Sequence, residues 1–194
     1  MPQPQNPPLL IVVSGPSGVG KTRICNRLME NDSRLVRSIS ATTRPPRPGE
    51  EDGTDYFFWG EDEFKSAIGE GLFLEWAMVH NHRYGTLDAT VDKLLGEQKS
   101  PVLNIDVQGG ASVKAIRPDA VLIFLLPPSM KALEERLRGR STDSEAVIAT
   151  RLQNALTELK RYEDYDYVVV NDDFDQAVAQ IESIMTAERA RVRR

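Results

Sequence analysis

The sequence predicts an α/β fold: a P-loop parallel sheet core with helices on both faces, a strand-rich insertion and a helical lid. Three observations carry that expectation. The apolar, β-branched run from Leu9 to Val13 breaks at Ser14 into a glycine-rich turn, and a helical pattern starts at Lys21. From Val102 onward, short apolar runs alternate with helical stretches. Between these parts, residues 36–87 are aromatic and irregular, with several strand-like pieces.

Taken in order, Met1 to Pro8 are rich in Pro and Gln, lack the basic-then-apolar pattern of a secretory signal, and read as a disordered lead. The first strand and its helix, Lys21 to Asn31, are followed by a short strand from Leu35 to Ile39. Ser40 to Thr54 carries Pro45, Pro46, Pro48, Gly49 and Gly53, which neither a helix interior nor a central strand accepts. Tyr56 to Trp59 is strand-like, and Glu61 to Ile68 reads as a short helix closed by Gly69 and Gly71. Leu72 to Val79 and His82 to Tyr84 read as strands joined at Asn81, with His80 and His82 at the surface beside the turn. A helix from Asp88 to Gly96 follows, and then a buried strand from Val102 to Asp106, after which Gly109-Gly110 lead into a helix. Val121 to Leu126 is a strand stopped by Pro127-Pro128, and Ser129 N-caps a helix through Arg138. A polar break from Gly139 to Ser144 precedes a long helix from Glu145 to Arg161; the strand Tyr167 to Val170 and a helix from Phe174 to Arg191 complete the chain. The core is thus expected over 9–35, 88–136 and 152–194, the insertion over 36–87 and the lid over 137–151. In such sheets ligands gather at the carboxyl ends of the strands.

A chain of 194 residues, 40% hydrophobic and 27% charged, holds one sizeable core of the soluble globular kind. Its apolar runs all fall short of the ~20 residues a membrane span needs, so no membrane partner is expected. The single cysteine, Cys25, excludes an internal disulfide and fits a reducing, cytoplasmic setting; its place one turn into a helix reads as a buried filler. A net charge of −5 argues against nucleic acid as a partner. The terminal Arg189, Arg191, Arg193 and Arg194 read as a solvated helix end, and the oligomeric state has no signature in the chain.

Gly15-Pro16-Ser17-Gly18-Val19-Gly20-Lys21-Thr22 matches G-x-x-x-x-G-K-[ST], with a strand before it and a helix after it. Glycines let the backbone wrap a phosphate with its N–H groups inward, and the helix dipole adds positive potential at the same point. Lys21 can reach the β- and γ-phosphates, and the Thr22 hydroxyl can ligand Mg²⁺. Arg44 and Arg47, three apart on a proline-stiffened loop, can converge on one dianionic phosphate, with Tyr56 adding a hydroxyl; as residues alone they equally describe a solvated basic loop. Glu75 sits within an apolar run, where a carboxylate needs a partner to be buried. The N1–H and N2 amine of a guanine edge supply two adjacent donors, with Ser40 and Thr86 available for its acceptors; a strand with Glu75 turned to solvent is the simpler reading of this segment by itself. Arg136 and Arg140 share a helix face, and Arg151 lies beyond the polar break, which describes either a mobile lid carrying positive charge or two ordinary charged helices.

Together these residues resemble the guanylate kinase family over nearly the whole chain. The most specific piece is Thr42 to Phe58, which meets the pattern T-[ST]-R-x-x-[KR]-x-x-[DE]-x-x-G-x-x-Y-x-[FY] in full. Glu75-Trp76-Ala77, Tyr84-Gly85-Thr86, Ile105-Asp106-Val107-Gln108-Gly109 and Val170-Asn171-Asp172 follow in the family's order. The resemblance implies phosphoryl transfer from MgATP to GMP, giving ADP and GDP, with the insertion over 36–87 as the GMP-binding part. It implies that Arg44, Arg47, Tyr56 and Tyr84 hold the GMP phosphate, and that Ser40, Glu75, Thr86 and Asp106 read guanine or position the nucleotide. Arg136, Arg140 and Arg151 then bridge the phosphates from the lid, Arg140 also touching ATP, and Asn171 lies near the adenine. Two positions depart from the family: Asn104 stands where an acidic residue is common, and Trp59 where an aliphatic one is usual. Two rival readings remain, a non-catalytic phosphopeptide-binding module of the same fold and a P-loop kinase for another phosphorylated small acceptor.

Overall fold

The computed structural model describes residues 7–79, 81–139 and 144–192. Most of the lead (residues 1–6), His80, Arg140, the break over 141–143 and the last two arginines therefore lie outside the described residues.

Five strands form a sheet whose neighbours are all parallel: β1 (Ile11–Ser14), β2 (Leu35–Arg37), β7 (Ser100–Asn104), β8 (Val121–Leu126) and β9 (Tyr167–Val170), in the order β2-β7-β1-β8-β9. β1 lies at the centre because its residues are apolar on both faces, as a strand covered on both sides must be. One face packs on α1 (Lys21–Asn31) and α7 (Phe174–Ala190), where Ile11, Val13 and Ile123 meet Ile24, Leu28, Val178 and Ile181. The other face packs Leu10, Val12, Leu103 and Leu122 against Val91 of α3 (Asp88–Gly96) and Val113 of α4 (Val107–Ile116). Cys25 is buried in the first of these clusters, and burial pushes its thiol up to about 12, so it is an inert filler.

A second, four-stranded sheet runs β4-β3-β6-β5 and contains β3 (Ala41–Thr42), β4 (Phe57–Phe58), β5 (Phe73–Val79) and β6 (His82–Leu87). β5 and β6 are an antiparallel hairpin turning at Asn81, whose φ of 66° is one asparagine tolerates. α2 (Glu61–Gly69) closes one side through Phe64, which stacks on Phe73 and meets Trp59 edge-on. The bulky Trp59 therefore fills an aromatic cluster. β6 runs to Leu87, three residues beyond the expected end, because Gly85 and Thr86 keep pairing with Trp76 and Glu75.

α5 (Met130–Arg138) and α6 (Glu145–Leu159) flank the break and share a small core of Leu133, Leu137, Ile148 and Ala155. Ser129 caps α5 as expected, accepting from the Ala132 N–H. α6 stops at Leu159, short of Arg161, and a 3-10 turn over Tyr162–Asp164 leads to β9. Three expectations need correction. Gly109 and Gly110 lie inside the first turns of α4, where a Cβ would come within 2.6 Å of the Glu75 carboxylate and 2.2 Å of the Tyr165 hydroxyl respectively. The glycines serve close approach, not a helix lead-in. Arg189 is not solvated: it bonds Asp32 at 3.0 Å and ties α7 to the end of α1. His82 is half-buried in β6 rather than at the surface. Among the described residues no helix is long and apolar enough to cross a membrane.

Gly15 has φ +141° and a Cβ there would lie 2.4 Å from the Leu125 carbonyl oxygen of β8, whereas Gly49 has φ +87° with nothing within 4 Å. Gly15→Ala is expected to cost more than about 3 kcal/mol in urea unfolding, from backbone strain plus collision with a fixed strand. Gly49→Ala should cost only about 1 kcal/mol, from backbone strain alone.

Candidate active site

The carboxyl ends of β1 and β7 open onto a cleft of about 780 Å³. Its floor is Gly15, Ser17 and Lys21 from the glycine-rich turn; one wall is Glu75 and Tyr84 of the second sheet with Ser40 and Tyr56 just before its strands β3 and β4; the other is α6. Asn104 and Asp106 stand between them.

The turn after β1 is braced from below. Lys21 Nζ donates to the carbonyls of Gly15 (2.6 Å) and Pro16 (3.1 Å), so its ammonium curls over the loop. Asn171 is buried after β9 and donates from Nδ2 to the Val19 carbonyl at 2.7 Å. Arg136 donates to the same carbonyl at 3.4 Å and to the Asn171 carbonyl at 2.9 Å. With loop carbonyls turned down to these donors, the amides not spent within the turn, as the Val19 N–H is on the Pro16 carbonyl at 3.2 Å, can face a ligand. Gly20, with φ +105°, leaves just enough room for Asn171, since a Cβ would sit 2.6 Å from its Nδ2.

On the opposite wall, Glu75 is 6% exposed. A register shift between Phe73 and Glu75 puts a bulge in β5, so that both Leu74 and Glu75 are buried, Leu74 in the core and Glu75 on the cleft. The buried Thr86 hydroxyl donates to Glu75 Oε1 at 2.6 Å. Thr86 therefore orients the carboxylate and is not among the residues lining the cleft. Burial, aided by the Asp106 charge and opposed by the Thr86 hydrogen bonds, pushes the Glu75 carboxyl up to about 7.

Tyr56 and Tyr84 meet edge-on at 6.0 Å. Arg44 lies beside them, its guanidinium 5.5 Å from the Tyr56 ring and held by both Glu50 oxygens at 2.8 and 2.9 Å. Arg47 does not converge with it: its side chain is exposed, and its backbone N–H is what reaches Glu50, at 2.7 Å. Asp106 N-caps α4 through the Gly109 N–H at 2.8 Å, and its carbonyl accepts from Ser14 Oγ at 3.2 Å. Thr22 Oγ1 accepts from Asn104 Nδ2 at 3.0 Å. The described residues contain no group of three or more His, Cys, Asp or Glu able to hold a metal by themselves. A hydroxyl, an amide and one carboxylate at the mouth of a phosphate loop fit a hard cation that keeps water and phosphate oxygens as its other ligands.

The sequence reading missed much of the α6 wall. Arg151, Asn154 and Glu158 line the cleft from α6, and Arg161 from the turn just beyond it. The spacing of three and four from Arg151 to Glu158 is a helix face that could have been read from Arg151 onward. Gln108 also reaches the cleft, one residue into α4.

Glu75 dictates a pH dependence of stability. Its folded value is raised above the ordinary 4.5, so between about pH 4.5 and 7 the unfolded chain gives up this proton first, and stability falls as pH rises through that window. Urea unfolding of Glu75→Gln should lack this slope and show a gain of up to about 3 kcal/mol at pH 8.

Residues 8–188 match the family described as guanylate kinase. The chain is 52% identical over 186 residues to a guanylate kinase of Caldanaerobacter subterraneus, covering 96% of this chain and 90% of that one. It is 49% identical over 180 residues to that of Hydrogenovibrio crunogenus, covering 93% and 88%. The crystal structure of guanylate kinase from Anaplasma phagocytophilum superposes with a TM-score of 0.77 at 33% identity, over 97% of this chain and 89% of that one. A braced phosphate loop facing a buried carboxylate across one cleft, carried on a sequence matched this closely end to end, makes the chain a member of the guanylate kinase family.

Proposed function

We infer that the protein transfers the γ-phosphoryl group of ATP to GMP, giving ADP and GDP. The observation that carries this reading is the buried Glu75 carboxylate, oriented by Thr86, across the cleft from the phosphate loop. Guanine offers N1–H and its N2 amine as adjacent donors to a carboxylate, whereas adenine has no N1 proton and leaves it unmatched. Sites built on buried polar complementarity reject the wrong partner by roughly 10⁴ or more.

The acceptor phosphate is assigned to Tyr56, Tyr84 and Arg44, with Arg44 already desolvated and aimed by Glu50. Arg47 reaches that phosphate only by a rotamer change. Ser40 contributes from the cleft wall and Asp106 positions the nucleotide. The donor triphosphate is assigned to the loop Gly15 to Thr22, with the adenine beside Asn171. Mg²⁺ would be held by Thr22 and phosphate oxygens, with Asn104 in reach through water, and when bound it neutralises charge on the transferred group.

Two polyanions have to meet in line, and their repulsion is the main barrier. Lys21 lowers it at the donor, Arg151 from α6 and Arg44 at the acceptor. Arg136 acts chiefly through the loop it braces, and Arg140 is assigned to the lid. The parts close over 36–87 and 137–151, excluding water that would otherwise take the phosphoryl group. A cytoplasmic setting fits the free, buried thiol.

An acceptor panel tests the reading. ADP formation from ATP should be rapid with GMP and slower by at least about 10³-fold with AMP or UMP. Equal turnover of AMP would overturn the role of Glu75. Lys21→Ala should lower kcat about 10²-fold or more with the fold intact by circular dichroism, and Glu75→Ala should raise the KM for GMP far more than that for ATP.

A further inference from the structure

Glu158 is a carboxylate on the wall where the phosphate-directed groups are cationic. It is half-buried on α6, seven residues beyond Arg151, and lines the cleft with Ser17, Lys21 and Asp106. It shares that cleft with Ser17 and Lys21 of the phosphate loop, and its carboxylate lies in the field of the Lys21 ammonium and within range of the Ser17 N–H. Those two groups are what the loop offers to a phosphate. A carboxylate oxygen and a phosphate oxygen are alike as acceptors of an amide N–H, and one N–H cannot serve both at full strength. The Asp106 carboxylate lines the same cleft, so Glu158 sits between the cationic loop and a like charge.

We propose that Glu158 is an internal competitor of the donor polyphosphate: within the cleft it shares with Ser17 and Lys21 its carboxylate competes for their amide and ammonium, and ATP must displace it to seat its terminal phosphates. The inference rests on the assignment of ATP to this loop. It makes Glu158 an affinity-setting residue that weakens nucleotide binding, opposite in sense to Arg151 of the same helix. Displacement requires no more than a rotamer change of a side chain already at the cleft surface. The consequence is specific to ligands with charge at the loop, so GMP, whose phosphate is assigned to Tyr56, Tyr84 and Arg44, is largely indifferent to it.

Isothermal titration of the full chain with ATP, ADP and GMP, each without the other nucleotide, tests this. Glu158→Gln keeps the shape and an oxygen acceptor but removes the charge, and it should tighten ATP roughly three- to tenfold and ADP by less, with GMP changed by less than about twofold. Glu158→Asp keeps the charge but withdraws it by one methylene, and should fall between wild type and Glu158→Gln. Weaker or unchanged ATP binding by a folded Glu158→Gln overturns the proposal while leaving the kinase reading intact. Equal tightening for GMP also overturns it, because a general loss of negative charge would then suffice. Failure of wild type to bind ATP at all would instead sink the assignment of the loop.

Discussion

The structure depends on where the carbonyls of one loop point. A turn that cradles phosphate must present its N–H groups to the ligand, and this is possible only if its C=O groups are satisfied elsewhere. Here Val19 is held by Asn171 and Arg136, and Gly15 and Pro16 by Lys21. These donors come from after β9, from α5 and from α1, three segments far apart in the chain. The parallel sheet exists in this sense to bring β1 and β9 to one end, so that a buried asparagine can reach a loop 152 residues away.

How far the site was legible in the sequence follows from the range of the forces involved. The loop, its flanking strand and helix, and the strand–helix rhythm after Val102 are local patterns, and α3, β8 and β9 fall on the expected residues. The bulge in β5 is not local. Strict alternation would put Leu74 and Glu75 on opposite faces, and the simpler reading of the segment turned the glutamate to solvent. The register shift buries both, and Gly109 admits the carboxylate because a side chain there would collide with it. Glycine after glycine in that stretch looked like punctuation, when its meaning lay in a contact 34 residues upstream. Arg189 was misread for a similar reason: a basic helix end looks solvated until Asp32 is found beside it.

Net charge is a poor guide to the field in the cleft. The chain is acidic overall, yet Lys21, Arg151 and Arg161 converge on one volume. Glu75, Asp106 and Glu158 share that volume, so the cleft is close to balanced within itself. Lys21 is held over the loop by two backbone carbonyls and Arg161 by Asp164, so these cations need little reorganisation when a polyanion enters.

Burial of Glu75 is the least favourable of these placements for the folded chain. Its carboxyl is pushed up to about 7 because the wall that positions it also removes water from it. Thr86 returns part of that cost through one short hydrogen bond, but a single donor does not satisfy two oxygens. The second oxygen lies against Gly109 at the edge of the cleft, the atom that the N–H groups of the proposed acceptor base would meet. Stability is thus given up at the point where selectivity is required, and the same desolvation that weakens the fold makes the wrong base costly to bind.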